Sequence, residues 1–425
     1  MQKDEKAVYE EFVDQFCEWS ETGKAPEAGD QEIRYGLSLQ KERLNRYQAK
    51  MKYSLKFKGE QLDNISKYVY EGKKYSNRLV YRSYHKTVDY WINERKTLSL
   101  QDQEEFFAMV TYLNEAHIDG NETYCCPNCG AGSRIVELTD KGCTYCGTHF
   151  VMSELFPKVT NFYCLKDYGI DSMDGKEAKN VTSNWVIAGI LIGLVCISPM
   201  AFSDFFAAGK EEASMLGRIV LFAWQYIFAG ILGAVLGYFA FSARLIIKLF
   251  AGAVQAVPKV AEQLKARKRI TEFIQSIDSE FSYEYFFGKV QSLVKLIIFT
   301  DDRSDLAVYE GNLPLDRFNT IVDSQFDGVL GLNRAWIEAG YCFLDLNVYM
   351  TNIYIKNSRI KKKSDVIRIR MCRKKDLPID YGFSINKVNC KSCGGSFDAS
   401  KIKHCPYCSN AYDLKEDDWV ITYIH

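Results

Sequence analysis

Eight of the fourteen cysteines fall into four Cys-x-x-Cys pairs. Cys126-x-x-Cys129 is followed after thirteen residues by Cys143-x-x-Cys146, and Cys390-x-x-Cys393 after eleven residues by Cys405-x-x-Cys408. Two-residue spacing lets both thiolates of one turn face a single ion, and a second such turn completes a tetrahedron. Glycine directly after the second cysteine (Gly130, Gly147, Gly394) suits the positive φ of such a knuckle and leaves backbone N–H groups facing sulfur. The fourth knuckle departs from this, with Ser409-Asn410. One Cys-x-x-Cys alone would also fit a redox pair, whereas two in tandem, twice over, point to structural zinc. A four-thiolate site is closed, with no open coordination position for catalysis. Two zinc ribbons are therefore expected, over residues 121–155 and 386–412. Each would hold one ion that contributes on the order of 10 kcal/mol to a unit too small to fold unaided. His149 and His404 lie close by, but each set is complete without them. Cys125 reads as a bystander, and Cys17, Cys164, Cys196, Cys342 and Cys372 as small buried hydrophobes.

A second group that could act chemically is basic: Lys356, Arg359, Lys361, Lys362, Lys363, Arg368, Arg370, Arg373, Lys374 and Lys375. Lys361, Lys362, Lys363, Arg368 and Arg370 are its candidate contacts to anionic lipid, where each cation near the surface is worth ~1 kcal/mol. The plainer reading is a solvated hairpin and an outward strand face. No aromatic residues alternate with the charges, so a nucleic-acid groove is disfavoured. Sequence signatures of catalysis are missing: there is no Walker-type phosphate loop, no His-Glu-x-x-His and no nucleophile elbow. Only 5 histidines are available for a triad or hydrolytic metal site.

The elements that must position these groups fall either side of two apolar segments. Val181 to Ser203 and Ile219 to Ala243 carry no charge, and each is long enough to cross a ~30 Å hydrocarbon core as a helix. Two spans are expected, at about 185–203 and 219–243, within a hairpin over 184–250. The Asp204–Arg218 loop holds two basic and three acidic residues. Arg244, Lys248, Lys259, Lys265, Arg267, Lys268 and Arg269 follow the second span, and Lys166, Lys176 and Lys179 precede the first. Excess Lys/Arg marks the cytoplasmic side, which makes this a multi-pass protein of the cell (inner) membrane with both termini cytoplasmic. Gly189-x-x-x-Gly193 and Gly233-x-x-x-Gly237 would let the two helices approach closely.

The remainder reads as folded and soluble. With 54 Lys+Arg against 54 Asp+Glu, 47% apolar residues and 8 prolines in 425 residues, neither a globally basic nucleic-acid binder nor a solvated disordered chain is expected. Cysteine is about 3% of the chain (14 of 425), and Met1 to Glu11 lacks an apolar leader core, which disfavours a secreted disulfide scaffold. Residues 1–120 read as a mixed α/β region, joined after the first ribbon by a linker over 156–183. In that region Val8, Phe12, Phe16 and Trp19 share a helical face. Leu79 to Ile92 reads as strand, and Ser99-x-x-Asp102 as a capping box before a helix burying Phe106, Val110 and Leu113. The tyrosines and His85 read as core and rim. Over 257–425, Val260, Leu264, Phe273, Ile274 and Ile277 predict one helix, and Phe286, Val290, Val294 and Ile297 another. Tyr341–Ile355 and Val366–Met371 alternate as strands, with Ile367, Ile369 and Met371 on one face. Helices first and a meandering sheet second make an α+β domain.

The run DSEFSYEYFFGKVQSLVKL, the ribbon VNCKSCGGSFDASKIKHCPYC and the closing EDDWVITYI resemble bacterial membrane-bound proteins with a Tim-forty-four-like domain, relatives of the mitochondrial import-motor membrane anchor. The N-terminal ribbon YCCPNCGAGSRIVELTDKGCTYCGTHF followed by LFPKVTNFY is similar to the same arrangement. The resemblance covers roughly residues 122–425 and implies a cone-like α+β domain with a pocket or groove, the ribbon inserted near its end and a Trp419-containing strand, Asp418 to Ile424, returning to the sheet. The membrane hairpin departs from the peripheral mitochondrial protein, and no chaperone-binding residues match, so the import-motor role is not carried over. The expected function is a non-enzymatic, membrane-anchored scaffold that presents zinc-stabilised cytoplasmic modules to a protein, peptide or lipid partner. Two alternatives stand beside it: a hydrolase or isomerase that uses the cone-like cavity with Asp345 as base, and a nucleic-acid-binding zinc-ribbon protein.

Overall fold

The apolar residues of the N-terminal helical face fold as α1 (Glu5–Thr22), which buries Val8, Phe12, Phe16 and Trp19. The structure is a computed structural model. It describes residues 4–57, 67–71, 75–113, 121, 123–126, 128–129, 131–150, 156–166, 175–206, 215–279, 281–312, 314–357, 359–377, 387–398 and 402–425. Asp30 caps α2 (Gln31–Arg46) by accepting the Ile33 N–H, one of the donors that a helix start leaves unpaired. The sheet that follows contains β1 (Ala49–Phe57), β2 (Lys67–Glu71), β3 (Tyr75–Ile92), β4 (Arg95–Leu113) and β7 (Lys158–Lys166). Its order is β1-β3-β4-β7, with β2 also on β3.

The strand expected over Leu79–Ile92 is β3. The helix expected after Ser99 is instead the strand β4, paired with β3 from Arg95 to Leu113. Every residue from Phe106 to Leu113 is buried. A strand covered on both faces loses its alternation, and an apolar run then imitates a helical stripe. Ser99 caps nothing; its hydroxyl donates across the hairpin to Asp89 Oδ1 at 2.6 Å.

In the C-terminal half Ser282 caps α5 (Tyr283–Phe299), which buries Phe286, Val290, Val294 and Ile297 as expected. β8 (Ile321–Glu338), β9 (Tyr341–Lys356), β10 (Arg359–Lys374) and β13 (Val420–Ile424) form an antiparallel sheet in that order. Ile367, Ile369 and Met371 line its inner face. Between β10 and β13 the chain detours through the second ribbon, with β11 (Lys387–Asn389) and β12 (Ser396–Asp398). The first ribbon, with β5 (Thr123–Cys125) and β6 (Gly132–Arg134), interrupts β4 and β7 in the same way.

The two halves thus repeat one plan: capped helix, three long antiparallel strands, inserted ribbon, and a fourth strand against the third. Asp30 and Ser282 even stand the same six residues before a glycine, Gly36 and Gly288. Residues 1–167 and 260–425 form one compact unit, with α2 beside α5 and β7 beside β8. Arg43, 1% exposed, joins the halves. It donates to Phe318 O (2.8 Å), Ile321 O (3.2 Å), Ile298 O (3.2 Å), Phe299 O (3.1 Å) and Asp301 Oδ1 (3.0 Å), which satisfies carbonyls at the α5 C-terminus that the helix itself cannot.

Residues 168–259 form a second unit. It holds α3 (Gly175–Phe206) and most of α4 (Met215–Gln275), whose apolar stretches Ser183–Phe206 and Met215–Arg244 are long enough to cross a membrane. Their large apolar side chains point outward, among them Leu191, Ile192, Val195, Leu236 and Phe239. The four glycines stand where the backbones touch. A Cβ on Gly189 would lie 2.2 Å from Gly233 O, and one on Gly237 would lie 2.4 Å from Trp185 O. The helix expected around 260–277 is the end of α4. Its buried face is Ala266, Ile270 and Ile274, while Leu264 is exposed.

Candidate metal centres

Each ribbon is built from two knuckles, and all four knuckles close with the same backbone bond. The N–H of the first cysteine donates to the carbonyl five residues on: Cys126 to Ala131, Cys143 to Thr148, Cys390 to Gly395 and Cys405 to Asn410, at 2.8–2.9 Å. Turning the chain back within five residues needs one residue at positive φ in the knuckle. Gly147 (+71°) and Gly394 (+73°) supply it, and Ser409 adopts +59° in the fourth knuckle despite its Cβ. Gly130 lies outside the described residues.

The sulfur atoms of Cys126, Cys129, Cys143 and Cys146 lie within 4.8 Å of one another, as do those of Cys390, Cys393, Cys405 and Cys408. Four of these separations, Cys126–Cys146, Cys129–Cys143, Cys390–Cys408 and Cys393–Cys405, are 3.6 Å. That is far longer than a disulfide bond of ~2.05 Å, and all of these cysteines are free. A tetrahedron with ~2.3 Å metal–sulfur bonds has edges of ~3.8 Å, so both clusters have the size of a four-thiolate metal site.

One cysteine of each set is biased toward thiolate, while burial pushes Cys126 and Cys129 up and Cys393 and Cys408 are raised as well. The Thr148 hydroxyl and N–H pull the Cys146 thiol down to about 6. The N–H groups of Cys393 and Ser392 bring Cys390 to about 6. Cys126, Cys143, Cys390 and Cys405 are buried, while the second cysteine of each knuckle, three residues on, reaches the surface fully or in part. The histidines stand outside both sets: His404 Nδ1 is 3.0 Å from Asp305 Oδ1, and His149 packs beside Gly142. The two ribbons also pack on each other, β5 beside β11 and β6 beside β12, with the rings of Tyr145 and Tyr407 6.4 Å apart.

The basic candidates do not converge. Along β10 successive side chains alternate between faces, which puts Lys361 and Lys363 on one side and Lys362, Arg368 and Arg370 on the other. Three of the five also hold carboxylates: Lys362 with Asp102 (3.4 Å), Lys363 with Asp365 (2.5 Å) and Arg370 with Asp345 (2.7 Å). Asp345 is correspondingly engaged by both Arg370 Nε and Nη2 on the outer sheet face. Both of its oxygens are thus held by one guanidinium.

A buried polar cluster joins the two halves. Asp323 on β8, 3% exposed, accepts from Tyr53 (2.8 Å), Tyr90 (2.6 Å), Gln40 (2.9 Å), Gln325 (3.2 Å) and the Ser324 N–H (2.9 Å). Burial, and next the charge of Asp323, raise Tyr53 and Tyr90 well above the ordinary tyrosine range. Alongside, Lys86 pairs with Glu104 and donates to Gln325 Oε1 at 2.8 Å. The sequence does not single out these residues, since Lys86 shares β3 with Arg78, Arg82 and Asp89, and Asp323 shares β8 with Asp327 and Arg334. No pattern in the chain pairs the two.

No protein-family model matches the chain, and no curated protein or solved structure matches it.

Proposed function

We propose that this protein is a non-enzymatic scaffold held in the cell membrane by the α3–α4 hairpin, with two structural zinc ions stapling a cytoplasmic module that binds a protein, peptide or lipid. The observation that carries the reading is the pair of closed four-thiolate clusters inserted at matching places in one folded unit. Closed sites stabilise and position; they do not activate substrate. The α+β halves, the outward apolar surface of the hairpin and its glycine contact support the membrane anchor. Residues 1–167 and 260–425 share one core, which favours an even number of crossings between them, and the flanking Lys/Arg excess favours the cytoplasmic side. The Tim-forty-four-like resemblance belongs to the same reading, supported by a ribbon inserted before a final strand and by the burial of Trp419. The engagement of Asp345 by Arg370 counts against the enzymatic alternative that needs it as base.

Elemental analysis of the purified full chain tests the metal assignment. It should find two zinc ions per chain, and Cys126→Ser or Cys390→Ser should each remove one. A chain that keeps its melting temperature with neither ion bound would overturn the structural role. For the anchor, the native chain should stay in the membrane pellet through a carbonate wash, and its release into the wash would refute the hairpin.

A further inference from the structure

α2 and α5 do not close completely on each other. Between them lies a cleft with about 690 Å³ of space free of atoms, part of it open to solvent. Its walls are largely apolar, with Ile33 and Leu37 from α2 and Leu293, Leu296 and Phe299 from α5. A deeper cavity beside Asp323 shares Leu37, Gln40, Phe162, Gln291 and Lys295 with the outer one. Lys295 therefore stands where the two meet.

Among the charged groups around the cleft, Lys295 is placed differently from the rest. Lys289 is 2.9 Å from Asp418, Glu32 on the α2 wall has a partner of its own, and Asp323 in the adjoining cavity is surrounded by its five donors. Lys295 has no carboxylate within ion-pair distance among the described residues, and its Nζ lies 5.0 Å from the centre of the Phe162 ring. Burial lowers its pKa, which Asp323 and Cys164 partly offset. A cation held this way gains from an incoming anion. Two further polar atoms on the cleft wall have no hydrogen-bond partner, Asn161 Nδ2 and Gln291 Oε1, in side chains only 7% and 2% exposed. Native interiors rarely leave such atoms unpaired.

The repeat identifies the space as specific to one half. At Gly288 of α5 a Cβ would meet Asn161 Nδ2 at 1.5 Å, so the neighbouring strand fills the groove over that glycine. At Gly36, the matching position of α2, a Cβ would meet nothing within 4 Å.

We infer that this cleft binds a small carboxylic acid with an apolar body, its carboxylate on the ammonium of Lys295 and its body against the leucines and Phe299. Asn161 and Gln291 offer one further donor and one acceptor to a polar substituent. The site is independent of the metal centres and of the scaffold reading.

Equilibrium dialysis of the full chain in lipid nanodiscs tests this with 2-naphthoate as probe, 2-naphthamide as the uncharged counterpart and empty discs as background. The native chain should take up one naphthoate saturably and hold the amide at least about tenfold more weakly, a difference of ~1.4 kcal/mol. Lys295→Met keeps the length of the side chain without the charge and should weaken naphthoate binding by a similar factor. Gly36→Leu fills the open space from a helical position that favours leucine over glycine, and should block binding while leaving the melting temperature unchanged or higher. Uptake no greater than by empty discs, equal affinity for acid and amide, or undiminished binding in Gly36→Leu would overturn the proposal. The last two arms decide it even if Lys295→Met fails to fold.

Discussion

Single residues carry the joints of this molecule, and Arg43 is the plainest case. Its guanidinium reaches from α2 to four backbone carbonyls and one carboxylate of the other half, and it is 1% exposed. Arg43→Met preserves much of the volume but leaves buried carbonyls without donors. It should cost about 3–5 kcal/mol, read as a fall in the urea midpoint with an unchanged slope. A change below ~1 kcal/mol would mean that water replaces the guanidinium. At this scale the sequence was legible for the metal ligands, because Cys-x-x-Cys spacing is local and the knuckle closes within five residues. Arg43, Asp323 and Lys295 were not legible. Most of their partners lie more than a hundred residues away, and a charged residue in a helix or strand does not announce what it meets.

Elements were read well where one face is wet and poorly where both are dry. β9 alternates from Tyr341 to Met350, whereas β4, buried on both sides from Phe106 to Leu113, imitated a helix. The expected strand over Asp418–Ile424 does return to the sheet, but it begins at Val420, one residue after Trp419. Trp419 is 2% exposed, lies edge-on to Phe286 at 5.5 Å between centroids and has Arg373 over its ring at 5.3 Å, immediately before β13 pairs with β10. Trp419→Ala should cost about 3–5 kcal/mol. Truncation after Asp413 should leave β10 an unpaired edge, seen as aggregation or rapid proteolysis; an unchanged melting temperature would remove β13 from the folded core. In the hairpin, Gly233 would put a Cβ 2.4 Å from Gly189 O. Gly233→Leu should therefore part the helices and lower the melting temperature of the detergent-solubilised chain, and an unchanged melting temperature would mean that the helices do not pack at these glycines.

Over the whole molecule the repeated plan explains why two ribbons exist. Each interrupts the same connection in its half, and the two then pack on one another. The cysteines made the ribbons visible in the sequence, while the helices and strands around them differ too much in sequence for the repeat to show. The joint between the halves also sets a pH response. Tyr53 and Tyr90 have folded-state pKa values raised above the usual ~10 by burial and by Asp323. The unfolded chain thus loses these protons first as pH rises. Their contribution is fully present below about pH 10 and is lost progressively above it, at up to ~1.4 kcal/mol per pH unit for each tyrosine. Thermal melts should show stability falling between about pH 10 and 12, with a shallower fall in Tyr53→Phe.

If both halves form one module on one side of a membrane crossed twice, reporter fusions at the N-terminus, after Lys210 and at the C-terminus of the full chain will show it. Both terminal reporters should be active in the cytoplasm and the Lys210 reporter only on the opposite face. Terminal reporters on opposite faces would contradict it, because two halves separated by a bilayer cannot share the core that holds Arg43 and Asp323.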